Sequence, residues 1–376
     1  MKNTVIFGGS FDPPHKGHLE IIRHLQGVFD RVLVMPAFVS PFKQGKEYAS
    51  SADRLNMLRI LIQENGLSAE ISTFELSKQG VSYSADTIRY YNEQESGGAN
   101  LCFAIGSESL PALRLWKDAE YLKQNVTFYV IPRQGYDISA APVGFNVKIA
   151  PIIVPDYSSA FFKAARAFNR EKDIVTEGVY DYIDKNGLYD QYKCFTDGFA
   201  VFKMRKERID HTYGAVKAGI TLTKIHGEDV DKTIIALILH DIGKYANDET
   251  LKSANVTPPD TQGVPIDCRH AIIGREIARQ YFGITDSDVL DAIYYHTTGR
   301  PDMGRLEKIV AVADYIEEGR AFEEAEVIAR LAKTDLDGAM AKMLANVIRY
   351  LRGANKEIFE ITFHALSFYH GLAYNK

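Results

Sequence analysis

The pattern of apolar residues changes once along this chain of 376 residues, and the change indicates two different folds. Up to about residue 190, apolar runs of strand length alternate with segments whose apolar residues recur every three or four positions. Such alternation predicts strands joined by helical crossovers, and hence a parallel sheet covered by helices. Farther on, only the helical periodicity continues. We therefore predict an α/β domain over residues 1–191 and an all-α domain over residues 192–376.

The predicted strands of the first half are short and mostly aliphatic: Thr4–Phe7, Arg31–Pro36, Leu101–Gly106, Val126–Ile131 and Val147–Ile153. The main predicted helices are Asp53–Glu64, Ser84–Glu93, Arg208–His226, Asp231–Lys244, Arg269–Phe282, Asp286–His296, Leu306–Glu318, Glu323–Lys333 and Leu336–Arg352. Ligands of parallel sheets bind at the carboxyl ends of the strands. Gly8, Pro36, Gly106 and Arg133 fall at or just beyond strand ends and are therefore expected at one site.

Composition narrows the class of protein. The hydrophobic content of 46% and the charged content of 25% are ordinary for a globular chain with a core in each half. A net charge of −5 argues against a nucleic-acid-binding surface. The three widely spaced cysteines favour a reducing compartment. With no signal-peptide pattern and no apolar run of membrane-spanning length, we expect a cytoplasmic protein without nucleic-acid or membrane partners; its oligomeric state is left open.

The first chemical motif follows the first predicted strand. Residues 8–18 read Gly-Gly-Ser-Phe-Asp-Pro-Pro-His-Lys-Gly-His and lead into a helical pattern. A strand, a glycine loop and a helix bring backbone N–H groups and a helix N-terminus to a phosphate. His15 and His18 are three positions apart and can face the same anion. Two glycines alone would indicate only a turn, but the whole run indicates a phosphate-binding loop.

This run resembles the signature of nicotinate-mononucleotide adenylyltransferases, and the resemblance extends through much of residues 1–190. It implies adenylyl transfer from ATP, accompanied by Mg²⁺, to nicotinate mononucleotide, with pyrophosphate leaving. By this resemblance His15 and His18 stabilise oxyanions, Lys43 binds phosphates and Trp116 stacks on the pyridine ring. The other implied substrate-binding residues are Gly8, Gly9, Ser10, Phe11, Ser84, Thr87, Gly106, Glu108, Arg133, Ser158, Ser159 and Lys163.

Some positions depart from the family pattern. In the run 157–163, Ala160 stands where the family has threonine and Lys163 where it has arginine, and Glu108 replaces a usual aspartate. Lysine cannot grip a phosphate with two parallel hydrogen bonds as arginine does. The alternative is therefore kept that the first domain binds nucleotides without transferring them.

The second half is centred on Leu237–Lys244, where an apolar run leads into the adjacent His240 and Asp241. An imidazole and a carboxylate are good ligands for a divalent transition metal. Asp314 lies within an otherwise apolar helical segment, where a carboxylate is costly unless it is paired or metal-bound. Further candidate ligands, each in its own helical segment, are His211, His270 and His296. A lone histidine is more often structural, but this set indicates metal-dependent phosphate chemistry.

These residues resemble the HD-domain phosphohydrolases, and most closely the symmetrical diadenosine-tetraphosphate hydrolases. The resemblance implies a metal-binding quartet of His211, His240, Asp241 and Asp314, with His270 and His296 holding a second metal. It favours iron and implies a water activated between the metals. Asp241 would share in catalysis, and Lys244 and Arg300 would bind the polyphosphate; the less favoured interpretation of Arg300 is a surface residue beside a turn.

Together the two halves predict a bifunctional enzyme. Its partners would be ATP, nicotinate mononucleotide and dinucleoside polyphosphates, and its second reaction would give two ADP from diadenosine tetraphosphate. Three alternatives remain: a chain in which only the hydrolase is active, an HD site that cleaves a deoxynucleotide or a cyclic nucleotide, and a sensor or scaffold without turnover. The identity of the metals and any coupling between the sites are left open.

Overall fold

The computed structural model describes residues 3–40, 49–94, 100–133, 138, 141–154, 157–320 and 323–374. The chain forms two compact units. The first contains Met1–Phe162 and Arg170–Tyr189, and the second contains Lys163–Asn169 and Asp190–Lys376. The predicted domain limits, 1–191 and 192–376, stay a prediction. The two compact units differ from them in the short segment 163–169, which clusters with the second unit.

The first unit contains a six-stranded sheet. Its strands are β1 (Asn3–Gly9), β2 (Arg31–Pro36), β3 (Glu70–Ile71), β4 (Asn100–Gly106), β5 (Thr127–Ile131) and β6 (Asn146–Ile149). All the pairings are parallel, in the order β3-β2-β1-β4-β5-β6. Gly9 pairs with Pro36, and Gly106 with Ile131, so the loops that follow these strands leave from one edge of the sheet. The predicted α/β domain is confirmed.

Helices lie between these strands and after the last of them. They are α1 (Lys16–Val28), α2 (Ser51–Glu64), α3 (Phe74–Lys78), α4 (Ser84–Gln94), α5 (Ala119–Asn125), α6 (Ser159–Arg166) and α7 (Glu177–Lys185). The helix α1 buries Leu19, Ile21, Ile22 and Leu25, the apolar positions that predicted it. Strand β6 is shorter than predicted and ends at Ile149, shortly before Pro151, a residue that cannot donate to a ladder.

Helices alone form the described part of the second unit from residue 194 onward, which confirms the predicted all-α class. They are α8 (Cys194–Val201), α9 (Lys206–His226), α10 (Val230–Leu239), α11 (Asp248–Ser253), α12 (Arg269–Gln280), α13 (Ser287–Tyr295), α14 (Arg305–Ile316), α15 (Glu323–Ala332), α16 (Leu336–Gly353) and α17 (Glu360–Tyr374). Among the described residues, no helix combines the length and the apolar character needed to cross a bilayer.

One predicted helix end is corrected. The helix expected to reach Lys244 ends at Leu239, and residues 240–243 form a turn. A side chain at Gly243 would overlap the backbone of His270 and Gly274, so glycine lets α12 approach this turn closely. The apolar periodicity continues through Ile242, which is fully buried, and therefore concealed the end of the helix.

Candidate active sites

The candidate site of the second unit is built at the ends of two helices that share one design. An aspartate caps the start of each helix through two backbone N–H groups: Asp229 caps α10, and Asp286 caps α13. Each helix ends directly before a histidine, His240 or His296. Lys232 near the start of α10 forms ion pairs of 2.8 Å with Asp286 and 2.9 Å with Asp288, which tie the two helix starts together.

Hydrogen bonds from Nδ1 orient these two imidazoles. His240 Nδ1 donates to the carbonyl of Leu237 at 2.6 Å, and His296 Nδ1 donates to the carbonyl of Ile293 at 2.8 Å. Because a carbonyl only accepts, the Nε2 atom of each ring is the one without a proton in the neutral form and is available to a metal. The chain therefore presets the ligand atom of both histidines.

His211 is oriented by a carboxylate. Its Nδ1 lies 3.1 Å from Glu317 Oε1, and its Nε2 lies 2.7 Å from Asp314 Oδ1. A carboxylate behind a histidine is a common way to fix a metal ligand. His270 presents Nε2 to Asp241 Oδ1 at 3.2 Å, while its Nδ1 lies 3.4 Å from Lys244 Nζ.

Asp241 stands between two sets of donors. Its Oδ2 lies 3.4 Å from His240 Nε2 and 3.8 Å from His211 Nε2, whereas its Oδ1 faces His270 and lies 3.9 Å from His296 Nε2. Within each set the ligand atoms lie within 4.8 Å of one another. The first set is His211, His240, Asp241 and Asp314. The second set is Asp241, His270 and His296. The structure thus brings together all the ligands predicted from the sequence.

The electrostatics of the cluster suit a cation. Burial alone would lower the pKa of His240, but the carboxylates of Asp241 and Asp314 raise it to about 10. Burial opposes charge on Asp241 as well, yet His240 and His270 hold its pKa well below the usual range. Burial and repulsion from the same two histidines lower the pKa of His296 to about 3. A donor set of buried imidazoles and carboxylates fits a divalent metal, which takes the place of the proton.

A cavity of about 750 Å³ opens onto this cluster and contains cationic side chains. Arg208 Nη1 lies 2.8 Å from Asp241 Oδ2, and Arg320 Nη2 lies 3.1 Å from Asp314 Oδ1; both arginines line the cavity, as does Lys244. The sequence analysis missed both arginines, although Arg208 precedes His211 by less than one helical turn. They extend the cationic lining that Lys244 was predicted to provide.

Arg300 lies elsewhere. Its guanidinium makes a bidentate ion pair with Glu307, with Nε to Oε1 and Nη2 to Oε2 both at 2.8 Å. It is not among the residues that line the cavity. The placement agrees with the alternative interpretation of Arg300 as a residue beside a turn, and its predicted role in binding polyphosphate stays a prediction.

The candidate site of the first unit is a cavity of about 410 Å³ at the carboxyl ends of the strands. It is lined by the predicted residues Gly8, Gly9, Ser10, His18, Ser84, Gly106, Glu108, Trp116 and Arg133. His15 is buried behind His18, with the ring centroids 3.6 Å apart, and its backbone N–H donates to His18 Nδ1 at 3.1 Å. The Nδ1 atom of His18 is thus used as an acceptor within the loop, while the His18 side chain lines the cavity.

Five other predicted residues do not line this cavity. Buried Phe11 packs edge-to-face on Phe7, and Thr87 Oγ1 donates to Glu75 Oε1 at 2.6 Å. Ser158 Oγ accepts from the backbone N–H of Phe161, Ser159 Oγ donates to the carbonyl of Pro13, and Lys163 clusters with the second unit. Lys43 lies outside the described residues. The roles of these residues stay predictions.

A buried arginine, missed by the sequence analysis, organises the loops around this cavity. Arg54 on α2 is 1% exposed. Its Nη1 donates to the carbonyls of Ser10 at 2.8 Å and Ala37 at 2.7 Å, its Nη2 to the carbonyl of Phe38 at 3.3 Å and its Nε to the carbonyl of Ala49 at 3.2 Å. It thereby joins the glycine loop to the loop after β2.

Comparison with known proteins assigns both halves. Residues 6–172 match the cytidylyltransferase-like family model, and residues 208–319 match the HD domain model. A symmetrical bis(5'-nucleosyl)-tetraphosphatase of Halalkalibacterium halodurans is 39% identical over 162 residues, which is 42% of this chain and 87% of that protein. A nicotinate-nucleotide adenylyltransferase of Bacillus subtilis is 30% identical over 198 residues, 50% of this chain and all of that protein.

One relative spans both halves. A probable nicotinate-nucleotide adenylyltransferase/Ap4A hydrolase of Mycoplasma genitalium is 27% identical over 351 residues, 90% of this chain and 95% of that protein. Fold and site together define a cytidylyltransferase-like domain and an HD domain with a divalent-metal site. The chain belongs, in its first half, to the nicotinate-nucleotide adenylyltransferase family and, in its second half, to the symmetrical bis(5'-nucleosyl)-tetraphosphatase family.

Proposed function

We propose that this chain is a bifunctional enzyme, with a transferase over residues 1–191 and a hydrolase over residues 192–376. The transferase makes nicotinate adenine dinucleotide from ATP and nicotinate mononucleotide, and the hydrolase cleaves diadenosine tetraphosphate symmetrically into two ADP. The names of the relatives of each half support both activities. For the hydrolase, the strongest support is the position of Asp241, whose two oxygens face two separate donor sets.

The hydrolase would hold two divalent metals, with iron favoured. His211, His240, Asp241 and Asp314 would bind one, and Asp241, His270 and His296 the other. When bound, such metals lower the pKa of a coordinated water and supply a nucleophile at neutral pH. Arg208, Arg320 and Lys244 would then neutralise the polyphosphate beside the attacked phosphorus. Metal charge on Asp241 and Asp314 would release the two arginines from these carboxylates to the substrate.

The transferase requires little bond-making chemistry from the protein, because in-line attack on a phosphorus depends on positioning and on charge neutralisation. The N–H groups of the glycine loop and His18 would neutralise phosphate oxygens, and Mg²⁺ would accompany the ATP. Trp116 lies at the cavity wall, where it could stack on the pyridine ring. Lys43 and Lys163 would contact outer phosphates, as the family resemblance implies.

Purified full-length protein tests both claims. Incubation with ATP, Mg²⁺ and nicotinate mononucleotide should release pyrophosphate, and incubation with diadenosine tetraphosphate should give only ADP. If no pyrophosphate is released, the first domain would be a nucleotide-binding module without transferase activity. A panel of deoxynucleotides and cyclic nucleotides is then tested, with the products identified by mass. Faster cleavage of any of them than of diadenosine tetraphosphate would make that nucleotide the assigned substrate of the hydrolase. Metal analysis of protein purified without added metal tests the assignment of iron.

A further inference from the structure

The cavity that opens onto the metal centre has a second wall, to which the proposed chemistry gives no role. Met343, Val347, Tyr350 and Leu351 on this wall all come from α16. Val347 follows Met343 by four positions, and Tyr350 and Leu351 follow Val347 by three and four, so the four side chains lie on one face of the helix. Phe359, which follows the helix, lines the same cavity. We call these five residues the apolar wall.

The apolar wall is anchored at one end and open at the other. Met343 belongs to the buried core, and Val347 packs against that core. Tyr350 is 67% exposed, and Phe359 is half-buried. An aromatic ring that its own chain leaves so uncovered at the lining of a cavity is available to a ligand.

An ion pair borders the same cavity. Lys356 Nζ lies 2.9 Å from Asp267 Oδ2, and both residues line the cavity. The contact joins the loop after α16 to the turn before α12, the helix that carries His270. The ion pair thus links the segment after the apolar wall to the segment before His270 at the same cavity.

We propose that the apolar wall is a nucleobase subsite, at which the base of a nucleotide stacks on Tyr350 and Phe359 while its phosphates lie at the metal centre. A nucleotide has one anionic end and one flat aromatic end. The cavity matches both, with Arg208, Arg320 and Lys244 beside the metal ligands and an apolar surface beyond them. Its volume of about 750 Å³ lies in the usual range for sites of small molecules.

The proposed function already takes nucleoside polyphosphates as substrates, and the inference adds the residues that hold their base. Stacking uses the flat face that every base possesses, so this subsite should accept different bases with similar affinity. The inference rests on the proposed function only for the identity of the bond that is cleaved. Loss of one stacking ring typically weakens nucleotide binding by about 5-fold to 150-fold.

Photolabelling tests the subsite without any need for turnover. Full-length metal-loaded protein is irradiated with 8-azido-ADP, and the labelled peptides are located by mass spectrometry. We expect label on a peptide that contains Tyr350 or Phe359, with protection by excess ADP. Label confined to the first unit, or absent from residues 343–359, would overturn the inference. Label at α16 in a protein that does not cleave diadenosine tetraphosphate would remove the proposed reaction and leave the subsite standing.

Inhibition constants provide the second test, because competition against diadenosine tetraphosphate hydrolysis reads only the hydrolase site. Tyr350→Ala should raise the inhibition constant of ADP about 5-fold to 150-fold and leave that of inorganic pyrophosphate within about twofold. Tyr350→Phe should keep the wild-type values. Lys342→Ala, an exposed position on the same helix that does not line the cavity, is the matched control. Equal weakening of both inhibitors, or no change for ADP, would overturn the inference; Phe359→Leu repeats the test if Tyr350→Ala does not fold.

Discussion

The two candidate sites are built from different parts of the chain. In the second unit, all the predicted ligands are side chains of separate helices or of the turns that follow them, and their donor atoms converge on one cluster. In the first unit, much of the cavity is formed by glycines and loop backbone after parallel strands. Side-chain sites depend on the identity of a few residues, whereas backbone sites depend on what holds the loops in place. Mutations should therefore act differently on the two units.

The largest expected effect comes from Asp241, the residue shared by both donor sets. Asp241→Asn removes the charge that balances two cations, so we expect a loss of diadenosine tetraphosphate hydrolysis of at least about 10³-fold, equivalent to several kcal/mol of transition-state stabilisation. Pyrophosphate release by the transferase should remain unchanged. The reciprocal control is His18→Ala, which should lower only the transferase rate. Loss of both activities in either variant would contradict independent sites.

The next largest effect is expected in the first unit, from substitution of the buried Arg54. Arg54→Met leaves the carbonyls of Ser10, Ala37 and Phe38 without their buried donor. Leaving a buried carbonyl without its donor costs about 1–3 kcal/mol. We expect a lower midpoint of urea unfolding for the first unit and a transferase rate reduced by at least about 100-fold. Arg59→Met, an exposed arginine on the same helix, should change neither; equal effects of the two substitutions would refute the role of Arg54.

The sequence predicted these two sites unequally well for physical reasons. The candidate metal ligands, which cluster in the structure, could be selected from the sequence because histidine and aspartate next to an apolar run indicate coordination chemistry. Arg54 was missed because an arginine within an amphipathic helix usually faces solvent, and only the tertiary fold brings four carbonyls around it. Arg208 and Arg320 were missed because arginine is common on surfaces, whereas Arg300, singled out beside a motif, pairs with Glu307.

The fold itself was predicted from periodicity, except where a helix ended inside a buried apolar run. At Leu239 the hydrophobic pattern continues, while the turn that follows brings Gly243 against α12. Contacts that are distant in sequence leave no periodic signal. The same limit applies to Tyr350, which looks like any aromatic residue of a helix until its exposure beside the cavity is known.

A smaller effect is expected from Glu317, which orients His211 without belonging to either donor set. Glu317→Gln keeps the size of the side chain but loses the charge behind the imidazole. Outer partners of this kind typically change metal affinity by about 10-fold to 100-fold. The measurement is metal content after dialysis against a graded chelator, which does not depend on turnover. Glu318→Gln, whose side chain is 77% exposed, should retain metal as the wild type does; equal retention by the two variants would leave His211 without this support.

The smallest expected effect concerns Lys232, which joins the starts of α10 and α13. Because these ion pairs are partly exposed, Lys232→Met should lower the free energy of unfolding by only about 0.5–1 kcal/mol at neutral pH. Hydrogen bonds that Lys232 donates to Asp286 and Asp288 raise the pKa of Lys232, so its contribution is complete below the unfolded pKa of lysine and fades only at strongly alkaline pH.

At acidic pH, the contribution of this ion pair to the free energy of unfolding depends on the charge of Asp286. Burial would raise its pKa, but hydrogen bonds from Lys232 and from the first N–H groups of α13 hold the pKa below the ordinary value. Its contribution is therefore present above about pH 4 and is lost as the pH falls through the folded pKa. Urea unfolding of wild type and Lys232→Met should differ at pH 7, and the difference should shrink as the pH falls below about 4. A difference that does not shrink in acid would mean that packing of the lysine stem, rather than its charge, ties together the two helices that end at His240 and His296.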